Sequence, residues 1–447
     1  MSSFMARMRQ HLRKPASEHR QIAQGFLWVS LFVLVGKLAG AGKEMAIAWR
    51  YGTSTEVDAY VFVFNMVNWP VTVWMSIVAV VLLPLAARLK NPAPAQLHLF
   101  RAELLGFAVL VGALLGLLVW ALLPILTPKG HASSALLDAL PSASWLALLT
   151  PLGTVIGLLS AWLMASGRHR NTLFEGIPAL TLLLALLMPA SWLQAPLVWG
   201  TVIGFALHLV ALAIPLWRSG QLPMPKLDWQ SDAWPHFWTG MGIMVLGQAL
   251  TSCTTLVDQF FAIDLGPGAL STLSYANRIL ALVTGLGATA ISRATLPVFS
   301  EAATQGSASV NTLALQWFKW MLGLALLALV VCWPLAPWMV RLLFERGAFT
   351  AHDSQAVTEL LRLSLLQVLF FFPALVLVNA LAAQRRHRWI ALSGGINLAL
   401  KLPLACVLVQ MHGVQGLVLS TVVMYAVSCG LLWTWVRHKP TKAHLTP

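Results

Sequence analysis

Seven of the chain's cationic side chains lie inside or at the ends of long apolar stretches: Lys37, Lys43, Arg278, Arg293, Lys319, Arg362 and Lys401. A charge at the centre of a bilayer costs roughly 2.5–3.5 kcal/mol on insertion scales, so such groups face a cavity or a partner. Lys37 and Lys43 share a stretch with Gly36, Gly40 and Gly42, small residues that permit close helix approach or a bend. Snorkelling to an interface is the alternative for Lys43, and less so for Lys37, which is far from the basic N-terminal end. Arg278 lies about ten residues into its stretch, where snorkelling is poor, which points to a cavity-facing role. Asp58 opens an apolar run, a place that suits either a cavity carboxylate or a helix N-terminus.

Asp258 and Lys401 are also deep in apolar runs, with Asn397 one turn before the lysine. An isolated carboxylate or ammonium at such depth would neutralise. The two are therefore expected to approach each other, as a structural latch or a proton-sensitive switch that could couple to an ion. Enzyme chemistry is not expected. The sequence carries no nucleophile elbow, P-loop, metal-ligand cluster or aspartate-rich motif. His169 and His387 sit in basic loops, which read as solvated loops or as contacts to anionic head groups. Cys253, Cys332, Cys406 and Cys429 fall within apolar runs without ligand spacing, and no disulfide framework is expected.

The elements that must hold these groups follow from composition. Only 10% of the 447 residues are charged while 58% are hydrophobic, and the mean hydropathy is +0.76. Soluble chains carry about 25% charged residues, so this one must be solvated largely by lipid. A spanning helix needs roughly 20 mainly apolar residues. Runs of that kind cover 24–49, 58–86, 101–126, 143–166, 172–193 and 197–217, then 237–263, 269–298, 314–343, 356–384, 389–410 and 413–436. The run 314–343 is a candidate for a break at Pro334 and Pro337. Residues 1–20 are basic and polar, and no cleavable signal is expected.

The net charge of +14 would suggest nucleic acid in a soluble protein. Here the basic residues fall between apolar runs, and no nucleic-acid partner is expected. With a cytoplasmic N-terminus, eighteen Lys and Arg fall in cytoplasmic segments and four (Arg50, Lys129, Arg341, Arg346) on the other side. That bias supports twelve spans with both termini in the cytoplasm. The expected division is a basic N-terminus (1–23), a six-helix lobe (24–217), a cytoplasmic linker (218–236), a second six-helix lobe (237–437) and a cytoplasmic tail (438–447).

The two halves repeat one another. Arg168-His169-Arg170 recurs as Arg386-His387-Arg388, Leu126 to Gly130 as Leu343 to Gly347, and Leu83-Pro84-Leu85 as Leu296-Pro297-Val298. The offsets are nearly constant, at 218, 217 and 213 residues. The expected fold is thus an all-α polytopic membrane protein of about twelve transmembrane helices. Its two six-helix bundles would be related by a pseudo-twofold along the membrane normal, with the substrate site between them near mid-membrane.

Residues 36–64 read GKLAGAGKEMAIAWRYGTSTEVDAYVFVF. This resembles the first two helices of the MurJ/MviN family, the lipid II flippases of the multidrug/oligosaccharidyl-lipid/polysaccharide exporter superfamily. Lys37 and Lys43 fall where that family has cavity arginines, Glu44 on its acidic neighbour and Asp58 on its aspartate. Ser274-Tyr275-Ala276-Asn277-Arg278, followed by Thr295-Leu296-Pro297, is similar to the family's Y-A-[DN]-R helix with its terminal L-P. Leu343 to Phe349 matches its L-F-x-R-G-x-F loop. The resemblance makes Lys37, Lys43, Arg278, Asp58, Asn68 and Asn277 candidate cavity residues for a substrate pyrophosphate. It departs after Asn68, where Trp69 to Ser76 carry neither the family's arginine nor its Glu-Gly pair. Family members also usually have fourteen helices, the last two shaping a groove for the lipid tail.

The resemblance implies a flippase for a polyprenyl-pyrophosphate-linked saccharide, either an exopolysaccharide repeat unit or a lipid II-type precursor, in a bacterial inner membrane. The expected partners are membrane lipid, that substrate and polymer-synthesis machinery, and the expected state is a monomer. No cofactor is expected; the driving force would be a coupling ion (sodium or proton) or the membrane potential. The competing readings are a cation-coupled drug exporter, which should have an acidic and aromatic cavity, and a non-transporting scaffold, which has no need of buried charges. If Asp258 and Lys401 are partners, reversing both charges together should restore the folded yield that either single reversal loses; additive defects would separate them.

Overall fold

The computed structural model describes residues 34–89, 94–126, 134–165, 174–189 and 191–437. The basic N-terminus, the Arg168-His169-Arg170 loop, Lys129 and the tail 438–447 lie outside the described residues. The apolar runs form helices: α1 (34–51), α2 (Thr55–Leu89), α3 (Pro94–Leu126), α4 (Ser134–Ala143), α5 (Leu149–Ala165), α6 (Ile177–Leu187), α7 (Pro196–Arg218), α8 (Trp234–Asp264), α9 (Ala269–Gln305), α10 (Ser307–Phe344), α11 (Ala351–Leu365), α12 (Val368–Ala383) and α13 (His387–Arg437). No strand occurs among the described residues. The chain is an all-α polytopic membrane protein.

Among the described residues, seven helices are long and apolar enough to cross a bilayer, and the bent pair α11–α12 makes eight. Helix α13 runs for 51 residues, about 76 Å at the α-helical rise, against a hydrocarbon core of about 30 Å. Gly413, at φ 55° and ψ −133°, interrupts it. The two runs 389–410 and 413–436 are its two arms. The repeat is visible in the element order: α2, α3, α4–α5 joined by a 3-10 segment at Ser144–Leu148, α6 and α7 are followed by α9, α10, the bent pair α11–α12 and the two arms of α13. In the second set the break is a 41° bend between Leu365 and Val368.

One expectation is corrected. Helix α10 continues through Pro334 and Pro337 without a break. Pro337 has no N–H to offer the carbonyl one turn earlier, that of Trp333. The Arg362 Nε–H donates to that oxygen at 3.3 Å. A side chain from α11 thus replaces the lost backbone bond, the way membrane helices tolerate proline.

Contacts divide the chain into two compact units. Unit one comprises Met1–Ala46, Val78–Leu115 and Leu148–Phe237; unit two comprises Ile47–Ile77, Gly116–Ala147 and Trp238–Pro447. In unit one, Gly200 and Gly204 of α7 pack against α6, where added Cβ atoms would meet Leu182 and Ala185, and Pro178 and Thr181. This is small-residue packing, the main source of helix association where lipid removes the hydrophobic drive. In unit two, α12 is enclosed by α9, α10 and α13. Asn379 donates to Thr295 Oγ1 at 3.0 Å and Gln384 to Asn311 Oδ1 at 2.6 Å.

The linker after α7 is docked within unit one. Glu103 of α3 is buried, with 1% of its surface exposed. Its carboxylate accepts the backbone N–H of Gln230 at 2.6 Å and of Ser231 at 3.2 Å, and the indole N–H of Trp234 at 2.7 Å. Phe100, Phe107, Trp229, Trp234 and Phe237 pack against one another, edge to face except for the tilted Trp229–Trp234 pair. Replacing Glu103 by Ala leaves three donors without an acceptor, at about 1–3 kcal/mol each. Hydrogen exchange at Gln230 and Ser231 should accelerate by at least tenfold while exchange in α7 is unchanged.

Candidate functional site

From Ile47 onward, the residues that carried the family resemblance gather in unit two. The turn after α1 meets the start of α9 and the loop after α10. Gly52 has φ 57° and Gly347 has φ 60°, a left-handed conformation that side chains other than glycine tolerate poorly. A Cβ on Gly52 would press on the Ala348 carbonyl, and one on Gly347 on the Trp49 carbonyl. The Ala348 N–H donates to the Trp49 oxygen at 2.8 Å. Tyr275 is buried, donates to the Gly52 oxygen at 3.0 Å, and packs tilted against Phe344 and edge to face against Phe349.

Asp58 is 1% exposed. Its carboxylate accepts the N–H of Gly268 at 2.6 Å and of Ser271 at 2.7 Å. Gly268 is the N-cap of α9, so a side chain on α2 closes the electropositive end of another helix. Asp353 does related work in the same cluster. It forms a capping box with Thr350 at the start of α11 and accepts the Thr53 hydroxyl at 2.5 Å.

Further along, α2 is joined to α8. Asn65 donates to Gln259 at 2.9 Å, Trp69 donates its indole N–H to Ser252 at 2.9 Å, and Phe62 meets Phe260 edge to face. Trp69 is the residue that follows Asn68 where the sequence departs from the family pattern. Asn68 itself is half-buried on α2.

Asp258 of α8 and Lys401 of α13 come together at 2.6 Å, the lysine fully buried. The lysine Nζ also reaches Ser420 Oγ at 2.9 Å, Thr421 Oγ1 at 2.5 Å and the Leu417 carbonyl at 3.3 Å. The pair lies on the wall of a cavity of about 290 Å³, lined also by Thr254, Asn277, Gln367 and Tyr425. Asn277 is exposed, and Arg278 beside it is half-buried on α9.

Lys37 and Lys43 belong to unit one. Lys43 pairs with its neighbour Glu44 at 2.7 Å. Lys37 is exposed on α1 and within electrostatic reach of Glu175, in the turn before α6. Gly36 faces Gly176 in that turn, where a Cβ on Gly176 would come within 2.8 Å of the Gly36 Cα. In unit two a separate apolar groove of about 680 Å³ lies between α10, α12 and α13. Leu322, Leu369, Phe370 and Cys429 line it, together with Lys319 and Arg437.

Sequence reasoning singled out Asp58, Asp258, Lys401 and Arg278, but not Thr53, Asn65, Gln259, Asp353, Ser420 or Thr421. The capping box at Thr350 and Asp353 has a sequence signal, a threonine three residues before an acid ahead of an apolar run. The others are short polar side chains whose partners lie more than 180 residues away or on a neighbouring helix arm.

A family model described as lipid II flippase MurJ matches residues 47–445. A relative in Bdellovibrio bacteriovorus, named "Probable lipid II flippase MurJ", is 30% identical over 269 residues, covering 58% of this chain and 51% of that one. A relative of the same name in Buchnera aphidicola is 21% identical over 353 residues, covering 74% of this chain and 67% of that one. The match thus spans about half to two thirds of these curated relatives. Among solved structures, "Lipid II flippase MurJ, inward closed conformation" superposes with a TM-score of 0.80 at 17% identity, over 93% of this chain and 88% of that one. An inward-facing multidrug resistance MATE family transporter superposes with a TM-score of 0.74 at 14% identity, over 90% and 94%. At these identities the superpositions establish the fold.

Asp58→Asn keeps the size of the side chain but removes its charge and one acceptor from the two N–H groups of α9. Hydrogen bonds to a charged group contribute about 1.5–3 kcal/mol each. Hydrogen exchange at the Gly268 and Ser271 N–H groups should therefore be at least tenfold faster in the Asp58→Asn variant than in the parent. Equal rates would show that the carboxylate does not hold this turn closed.

Proposed function

The chain belongs to the lipid II flippase MurJ family, and on that premise we propose that it moves a polyprenyl-pyrophosphate-linked saccharide from the inner to the outer leaflet of the bacterial cytoplasmic membrane. The observation that carries the reading is the set of cations on its helices: Lys37 and Lys43 on α1 and Arg278 on α9. A pyrophosphate crossing a low-dielectric region must exchange its water for cations and donors. Arg278 can hold phosphate oxygens in a bidentate fork, whereas the two lysines act as point charges. The substitution of lysine for the family's arginines keeps the attraction and relaxes the geometry.

The rest of the substrate has candidate places as well. The apolar groove between α10, α12 and α13 would take part of a prenyl chain. The movement would follow alternating access. The bonds from Asp58, Tyr275 and Asp353 would then be among those made and broken. With both termini in the cytoplasm, an inside-negative potential drives an anion outward. The membrane supplies about 2.3 kcal/mol per charge for each 100 mV. Sodium or proton coupling is the other form the drive could take.

A lipid II-type head group is the first choice, from the family. An exopolysaccharide repeat unit is the second, and one observation favours it. Where the family's helix two offers an arginine and a Glu-Gly pair, this chain has Trp69, engaged with Ser252. The test is reconstitution in proteoliposomes with fluorescent lipid II in one arm and a polyprenyl-linked exopolysaccharide unit in the other. Lys37→Ala, Lys43→Ala and Arg278→Ala should each lower flipping of the true substrate by about tenfold or more, the equivalent of one lost charge-assisted contact. Parent-like flipping by all three variants would remove the cationic site.

A further inference from the structure

Lys401 is more than one half of an ion pair. Its ammonium is surrounded by oxygen alone: the Asp258 carboxylate at 2.6 Å, the Thr421 hydroxyl at 2.5 Å, the Ser420 hydroxyl at 2.9 Å and the Leu417 carbonyl at 3.3 Å. One carboxylate, two hydroxyls and a carbonyl form a hard-oxygen set carrying a single negative charge. That is the chemistry that replaces the water of a monovalent cation, with no nitrogen or sulfur ligand to select a transition metal. A fifth oxygen is at hand. Asn397 precedes Lys401 by one helical turn, on the same face of α13, and its buried amide oxygen has no hydrogen-bond partner among the described residues.

We propose that Lys401 is a tethered cation: its ammonium fills a monovalent-cation site built from α8 and α13, and shortening this side chain opens the site to free sodium or potassium. The lysine stem enters along α13 and the ammonium cannot leave. The site is therefore filled in every state in which these helices stay packed. The adjoining cavity of about 290 Å³, lined by Thr254, Asn277, Gln367 and Tyr425, gives a free ion a polar route to the same oxygens once the lysine is removed. A consequence follows for coupling. The parent protein has no alkali-cation requirement at this position, because the charge that would arrive from solution is already attached.

An ordinary buried ion pair behaves differently on truncation. It leaves a lone Asp258, which takes up a proton and shows no preference among salts. The experiment compares the full chain, Lys401→Ala and the double variant Asp258→Asn/Lys401→Ala in detergent. Thermal unfolding is followed in sodium, potassium and choline chloride at one ionic strength. The parent should unfold at the same temperature in all three salts. Lys401→Ala should unfold at a lower temperature in choline and be restored saturably by sodium or potassium, as linkage to a bound ligand requires. The double variant should lose that response. No alkali response in Lys401→Ala, or a saturable sodium response in the parent, would overturn the proposal. If Lys401→Ala folds only when sodium or potassium is present, the proposal is upheld. Failure in every salt, repeated with Lys401→Asn, overturns it. The measurement uses ion binding alone, so its outcome is separate from the identity of the transported lipid.

Discussion

Charge removed from water must be met by protein, and the membrane makes this condition severe. Asp58, Glu103 and Lys401, charged side chains with no more than 1% of their surface exposed, are each met by a ring of donors or acceptors. Asp58 receives two backbone N–H groups, Glu103 receives two more and an indole, and Lys401 receives four oxygens. Lipid offers no competing partner, so each charge selects which helix lies beside it. The apolar surfaces of the helices carry little such information, since leucine packs as well against an acyl chain as against another leucine. Small residues such as Gly200 and Gly204 let helices approach; the buried charges decide which ones do.

The same condition applies to the backbone. Helices must satisfy their own polar groups inside hydrocarbon, and the exceptions here are repaired by side chains. Arg362 supplies the bond that Pro337 denies to Trp333. Asp58 and Thr350 close the first turns of α9 and α11. Several of these repairs lie at helix starts and bends. A hydrogen bond between a carboxylate and a helix N-terminus is strong when dry and easily replaced by water.

Much of the architecture was legible in the chain. Hydropathy runs marked the helices, and the three repeated motifs marked the equivalence of the halves, which recurs in the order of α2–α7 and α9–α13. Asp258 and Lys401 could be paired from depth alone, because neither could stay charged without a partner. The site was less legible. Asp58 read equally as a cavity carboxylate or as a cap for its own helix, and it caps α9 instead. The prolines of α10 read as a break, because the sequence could not show that an arginine from another helix would fill the gap.

The sequence by itself determined a helical membrane protein with a repeated half, its membership in a lipid flippase family, and the presence of buried charge. These are properties of local composition and spacing, fixed by the cost of exposing polar groups to lipid. Only the tertiary structure decided what each buried charge does. The oxygens around Lys401 come from Asp258, 143 residues earlier, and from the far arm of α13 beyond Gly413. Whether an ammonium meets one carboxylate or a complete shell of oxygen depends on where a kink returns the chain, and no periodicity records that.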